Sequence, residues 1–289
     1  MRTQELVLNE ILAWAKYKEN IRAVVMTSSR ANPNASIDIF SDYDIELMVT
    51  GLNAFSKNEE WICHFGKVIA NIKEINRKSL TQLVLYSDGI RIDFQVYTVT
   101  EFNKTILKSF LPTHWDIGYK FLLDKDEIAC KLPLPTNTLY NTSRPTETEF
   151  IALVKDFWWD VTYVAKSLWR DEIFYAKYMA ECLIHNNYLK KMIEWHIGST
   201  SSWLVNINKD GRWFKRYLDE ETWNQVERIY SDNDIEHNWH ALFVTTSLFS
   251  KVATELAVQL NYEYPILMEK DILEYLKKIQ RLEKNATNF

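Results

Sequence analysis

The stretch S-D-Y-D-I-E-L-M-V, residues 41–49, constrains this chain more than any other. Its residues alternate with a period of two. A strand therefore sends Tyr43, Ile45, Leu47 and Val49 to one side and Asp42, Asp44, Glu46 and Met48 to the other. A helix would spread the acids around its axis, whereas a strand sets Asp42 and Asp44 side by side. Like charges that close repel, and each loses hydration unless a cation stands between them. Carboxylate oxygens are hard donors of the kind Mg²⁺ takes together with substrate phosphates. Alternation alone leaves a second reading open, in which both acids are ordinary solvent-facing positions of an edge strand.

The neighbouring segments supply the rest of a sheet. Residues 21–27 (I-R-A-V-V-M-T) form a β-branched run that predicts a buried strand, ending at Ser28-Ser29-Arg30 and a polar loop with Pro33. Residues 83–86 and 90–99, joined by a turn at Ser87-Asp88-Gly89, read as a hairpin. In its second arm Ile90, Ile92, Phe94 and Val96 alternate with Arg91, Asp93, Gln95 and Tyr97, so Asp93 joins the polar face of a strand. Three carboxylates on neighbouring strands can hold two metals about 3.5–4 Å apart, the arrangement of in-line phosphoryl displacement. Residues 1–18 and 58–72 read as helices packed on this mixed sheet.

The stretch 134–145, with Pro135 and Pro145, reads as a linker between a domain of residues 1–133 and one of residues 146–289. Beyond it the pattern is helical. Thr146 and Glu149 form a capping box, and Phe150, Leu153, Val154, Phe157, Trp158 and Val161 then recur at helical spacing. Further helices are expected over 171–186, 188–197 (ended by Gly198), 219–230 and 236–260. The fold class is α+β, a mixed sheet with helices followed by a helical bundle. On the first helix of the bundle, Lys166 and Arg170 stand four residues apart and can close on a triphosphate. Asp156 and Asp160 share that spacing and can meet a cationic sugar. For both pairs a solvated helix face is the plainer alternative.

Composition removes several function classes. The formal charge of −5 gives no basic surface for nucleic acid. No apolar run approaches the ~20 residues that span a bilayer. The amphipathic pattern of the first residues is not that of a signal peptide, so the expected location is the cytoplasm. Cys63, Cys130 and Cys182 are odd in number and far apart; they read as buried thiols rather than a disulfide framework or zinc site.

The turn Ser28-Ser29-Arg30-Ala31-Asn32 followed by Asp42-Tyr43-Asp44-Ile45 resembles the nucleotidyltransferase signature. More closely, the chain resembles the aminoglycoside (streptomycin) 6-adenylyltransferase family. The likeness runs through Trp61, Phe65-Gly66, Ile92-Asp93, Leu123-Asp124-Lys125-Asp126, Arg144-Pro145 and Phe157-Trp158. It continues in Tyr163-Val164, Glu172-Ile173, Trp195, Arg216-Tyr217, Trp239, Leu242-Phe243 and Tyr264-Pro265, in order along nearly the whole chain. Two positions depart from the family pattern: Ser28 stands where Gly is usual, and Ile151-Ala152 where relatives tend to carry an acidic pair.

The resemblance implies an N-terminal nucleotidyltransferase-type sheet and a helical acceptor-binding domain. It implies transfer of AMP from ATP to a hydroxyl of a small cationic acceptor, an aminoglycoside such as streptomycin, with Mg²⁺ as cofactor. Ser28, Ser29 and Arg30, with Lys166 and Arg170, would bind the nucleotide. Asp42, Asp44 and Asp93 would hold the metal, and Asp93 would also take the proton of the attacking hydroxyl. Asp156 and Asp160 would face the acceptor. The expected partners are the triphosphate and the acceptor alone, with no nucleic acid or membrane, in a monomer or weak homodimer. Two alternatives stay open: the same chemistry on another metabolite or macromolecule, and a nucleotide-binding protein without turnover.

Overall fold

Six strands make one mixed sheet in the N-terminal half: β1 (Ile21–Thr27), β2 (Tyr43–Val49), β3 (Val68–Ile75), β4 (Ser79–Tyr86), β5 (Arg91–Thr98) and β6 (Tyr119–Asp124), ordered β3-β4-β5-β2-β1-β6. The computed structural model describes residues 2–106 and 111–289. β2 and β5 run parallel, and the other pairs are antiparallel. Helix α1 (Gln4–Lys16), capped by the Thr3 hydroxyl, buries Val7, Ile11, Trp14 and Ala15 against one face of the sheet. Trp14 stacks on Trp61 with ring centres 5.7 Å apart and meets Phe65 edge-on at 5.1 Å. Phe94 of β5 meets Trp61 at 4.9 Å, and Ile45, Leu47, Ile92 and Val96 complete this sealed core. The opposite face is covered only in part. A smaller cluster of Ala23, Val25, Met48, Phe102, Trp115 and Ile128 closes one end of it.

The helix expected over 58–72 is replaced by a short helix α2 (Asn53–Ser56), a 3-10 turn Glu60–Phe65 and strand β3. Ile69, Ile72 and Ile75 recur every three residues, which imitates helical spacing. All three stay more than half exposed, at 58%, 58% and 55%, and the hydrogen bonds to β4 decide the conformation. Helix α3 (Val99–Ile106) and β6 also stand outside the expected elements.

The chain divides into two compact units, Met1–Leu139 and Tyr140–Phe289. The second is helical. Its first helix, α4 (Glu147–Trp169), starts at the capping box of Thr146 and Glu149. One unbroken helical run then covers α5 (Ile173–Lys177), a π-helical stretch Tyr178–Leu189 and α6 (Lys190–Thr200), where two separate helices were expected. Gly198 lies inside α6 rather than ending it. Helices α7 (Phe214–Tyr217), α8 (Glu220–Arg228), α9 (Ile235–Leu260) and α10 (Ile266–Arg281) follow. By length and composition α9 alone among the described helices is apolar enough to cross a membrane. In this fold its Leu248, Phe249, Val252 and Leu256 are fully buried, and Phe249 stacks on Phe157 of α4. The three cysteines are exposed rather than buried: Cys63 lies on a 3-10 turn, Cys130 in a loop turn and Cys182 on the π-helical stretch.

Candidate active site

The parallel register of β2 and β5 sets Asp44 beside Asp93 and, one step along, Glu46 beside Gln95. On the other side β1 sets Thr27 beside Asp44. These residues face the incompletely covered side of the sheet. Together with Ser28, Tyr97 and His114 they line a cavity of about 290 Å³. The polar floor follows from the two-residue period of the strands. The same strands turn Ile45, Leu47, Phe94 and Val96 into the sealed core beneath.

Asp44 is the electrostatic centre of the cavity. Burial, then the neighbouring charges of Asp93 and Asp42, push its carboxyl up to about 6, against a hydrogen bond from Ser28 and the nearby charge of Arg91. Burial, then the charge of Glu46, pushes the Tyr97 hydroxyl up to about 12. Arg91, which sequence reasoning left without a role, is a main partner of the acids. Its Nε donates to Asp93 Oδ1 at 2.8 Å and its Nη2 to Asp93 Oδ2 at 2.7 Å, while Nη1 stands 3.7 Å from Asp42 Oδ2. The signal was available: Arg91 precedes Asp93 by two residues on one strand, so both share a face.

Among the described residues no group of three or more His, Cys, Asp or Glu side chains is arranged as a ready metal cage. The donor chemistry nevertheless fits a hard divalent cation that takes one or two carboxylates from protein and the remainder from phosphate and water. Asp44 meets that description, as a largely buried carboxylate crowded by two others and needing a positive partner.

The turn after β1 departs from its expected use in part. Ser28 has φ 60°, in the left-handed region where Gly is favoured. Its backbone N–H donates to the Gly118 carbonyl at 3.1 Å, so that amide serves the chain and not a ligand. The Ser29 carbonyl accepts from Asn32 at 3.2 Å. Arg30 turns away from the cavity. Its Nη2 donates to the Ser41 carbonyl at 2.7 Å, its Nε to the Asp42 carbonyl at 3.1 Å and its Nη1 to Gln4 Oε1 at 2.6 Å. Its guanidinium lies 3.8 Å from the centre of the Tyr43 ring. In this arrangement Arg30 braces the entry to β2 rather than reaching for phosphate.

The remaining expected residues belong to the second unit, on α4 or, for Arg170, just past its end, whereas every residue lining the cavity belongs to the first. Lys166 Nζ stands 4.3 Å from the Tyr163 ring centre, and Arg170 pairs loosely with Glu172 at 3.9 Å. Asp156 is exposed; Asp160 accepts from the Tyr188 hydroxyl at 2.7 Å. Ile151 and Ala152 line a wide cleft of about 720 Å³ with Glu147, Lys155, Glu263 and Tyr264.

A mixed sheet with paired acids across a parallel strand pair, and a serine turn at the cavity's lip, is the architecture of a nucleotidyltransferase, and the comparisons with known proteins agree. The family model for streptomycin adenylyltransferase matches residues 1–279, and the chain belongs to that family. It is 30% identical over 277 residues to the aminoglycoside 6-adenylyltransferase of Campylobacter jejuni, covering 93% of each chain. It is 31% identical over 273 residues to that of Bacillus subtilis strain 168, covering 92% of this chain and 94% of the relative. A crystal structure of an aminoglycoside 6-adenyltransferase from Bacillus subtilis aligns with 98% of this chain and 100% of its own, at 27% identity and a TM-score of 0.48.

Proposed function

We propose that the protein transfers AMP from ATP to a hydroxyl of a cationic aminoglycoside, with streptomycin as the first acceptor to test. The observation that carries this reading is the in-register pair Asp44–Asp93 inside a cavity edged by Ser28, in a chain of this family. Asp44 with Asp42 would hold Mg²⁺, which, when bound, neutralises phosphate charge. The chain's own residues do the rest. Asp93 faces the cavity from the neighbouring strand and accepts the proton of the acceptor's hydroxyl, which then attacks the α-phosphorus as pyrophosphate leaves. Each Asp93 oxygen has a lone pair beyond the one Arg91 occupies, so the bidentate bond orients the carboxylate without closing it. Positioning and charge compensation supply most of the rate in such a transfer. Acidic clefts of this kind favour a cationic sugar, and the protein would act free in the cytoplasm, without nucleic acid or membrane.

The test is pyrophosphate release from each of the four ribonucleoside triphosphates, with and without streptomycin. Stimulation by streptomycin with ATP supports the reading, and KM for the antibiotic should rise with salt as the attraction is screened. No stimulation, beside clear activity on another hydroxyl compound, moves the acceptor. No turnover with any acceptor leaves a nucleotide-binding protein only.

A further inference from the structure

Glu46 is a carboxylate for which the proposed transfer has no use. It lies two residues beyond Asp44 on β2, is only 3% exposed and borders the cavity. A carboxylate buried this way needs donors and a positive partner. Both come from one short stretch: Oε1 accepts from His114 Nε2 at 2.7 Å and from Trp115 Nε1 at 2.9 Å. Trp115 is fully buried, its ring 4.8 Å from Tyr119 and 5.3 Å from Phe102. His114 is different. Its side chain is half exposed and lines the cavity, and no hydrogen bond engages its Nδ1 among the described residues. Burial works against charging this ring, but the hydrogen bond and the charge of Glu46 outweigh it and hold His114 above its ordinary range.

The stretch that carries His114 is docked on the serine turn. Ser28 N–H donates to the Gly118 carbonyl at 3.1 Å. A Cβ on Gly118 would stand 2.9 Å from the Ala31 carbonyl carbon and the Asn32 nitrogen, so only glycine permits the approach. An imidazole that Glu46 biases toward its protonated form is thereby fixed beside the turn, in the cavity that Asp44, Asp93 and Glu46 also line. Once a bound cation offsets the acids, the outward Nδ1 of this ring can donate to a phosphate oxygen, a contact that a cationic acceptor cannot use.

Building on the nucleotidyl-transfer reading, we infer that His114, backed by Glu46, is a phosphate-binding residue for the nucleoside triphosphate and for the pyrophosphate that leaves. The role belongs to the anionic substrate alone, so it separates from acceptor binding.

The experiment is calorimetric titration of magnesium pyrophosphate into the full-length protein and its His114→Gln and His114→Lys variants, beside KM and kcat for ATP. Loss of a charge-assisted hydrogen bond should weaken pyrophosphate binding and raise KM for ATP roughly ten- to a hundredfold. The KM for the acceptor should hold, and His114→Lys, which restores a positive partner for Glu46, should recover most of the binding and most of any drop in melting temperature. Equal pyrophosphate binding by wild type and His114→Gln, in a protein that does turn over ATP, overturns the inference and leaves the transferase reading standing. A wild-type protein that binds neither pyrophosphate nor ATP overturns both. A His114→Gln protein that melts much earlier and is not rescued by lysine assigns the pair to folding, and the inference falls.

Discussion

The two faces of the N-terminal sheet are built from the same strands in the same register, yet they do opposite things. One is sealed by α1 and an aromatic cluster of Trp14, Trp61, Phe65 and Phe94, with no exposed surface left on Ile45, Leu47 or Phe94. The other carries Asp44, Asp93, Glu46 and Gln95 into an open cavity. Adjacent residues on β5, Asp93 and Phe94, belong to different faces. The difference shows where the chain stores stability and where it gives some up: apolar burial on one side holds the strands close enough to crowd acids on the other. Crowded carboxylates are unfavourable in the free protein and useful once a cation and phosphates arrive.

The largest expected effect tests that division on neighbouring residues. Asp93→Asn keeps the shape and removes the charge. It should lower kcat for pyrophosphate release by about 10²–10⁴-fold, the usual contribution of a general base. Its melting temperature should change little, because the lost pair with the half-exposed Arg91 is offset by relief of repulsion on Asp44. Phe94→Ala should do the reverse, costing ~3–5 kcal/mol of stability through the cavity it leaves beside Trp61 and Phe65. Chemical denaturation and single-turnover rates on both variants decide the matter. Full activity in Asp93→Asn would remove the site itself.

The sealed face was the more legible of the two. Period-two alternation at β2 and β5 places Ile45, Leu47, Phe94 and Val96 in the core and Asp44 and Asp93 opposite, as found. Pairing cannot be read from one strand, so that Asp44 faces Asp93 rather than Gln95 came only from the structure. β3 was misread because its isoleucines repeat every three residues on an exposed edge, where local pattern is weakest and ladder bonds to β4 decide. Arg91 carried a local signal through its spacing from Asp93. His114 carried none, since its partner Glu46 lies 68 residues earlier in the chain and the contact is wholly tertiary. The exposed cysteines have a similar cause. Composition says that cysteine is usually buried, and nothing local says when it is not.

The next effect concerns pH. The Asp44 carboxyl sits at about 6 in the folded protein against an unfolded value near 3.8. The folded state therefore binds more protons between these values, and stability falls as pH rises from about 4 to about 6. Above that window the full penalty is present, at most about 3 kcal/mol for two pKa units of a mostly buried group. In EDTA, Asp44→Asn should melt higher than wild type at pH 8, and the gap should close below pH 4. A gap that persists at pH 4 would assign the gain to something other than charge. The same variant should lose activity, since the stability gained is the crowding that attracts the cation.

A smaller effect lies under the sealed face. Gln82 of β4 is fully buried in the apolar layer, and neither its Nε2 nor its Oε1 finds a partner among the described residues. Unsatisfied buried groups cost ~1–3 kcal/mol. Gln82→Leu should therefore stabilise the protein by about 1–2 kcal/mol without touching the kinetics. A destabilised variant with unchanged packing elsewhere would mean that the amide is satisfied by water in solution.

The smallest effect is expected at the border between the faces, at Ser28. Its left-handed backbone costs roughly 1–2 kcal/mol for a residue with a Cβ. Its hydrogen bond to Asp44, which holds that carboxyl down, returns about as much while Asp44 is charged. Ser28→Gly removes both and adds a little freedom to the unfolded chain. At pH 8 the three effects should cancel to within about 1 kcal/mol. At pH 4.5 Asp44 is protonated in the folded protein, so the charge-assisted bond is already gone and only the strain remains to be relieved. The glycine variant should then melt above wild type at pH 4.5 and no higher than wild type at pH 8. Without the serine hydroxyl, the midpoint for Asp44 should also move further up. Thermal melts of both proteins across this range provide the check. A glycine variant equally stabilised at both pH values would show that the serine hydroxyl contributes nothing to Asp44, and that the turn's strain is uncompensated.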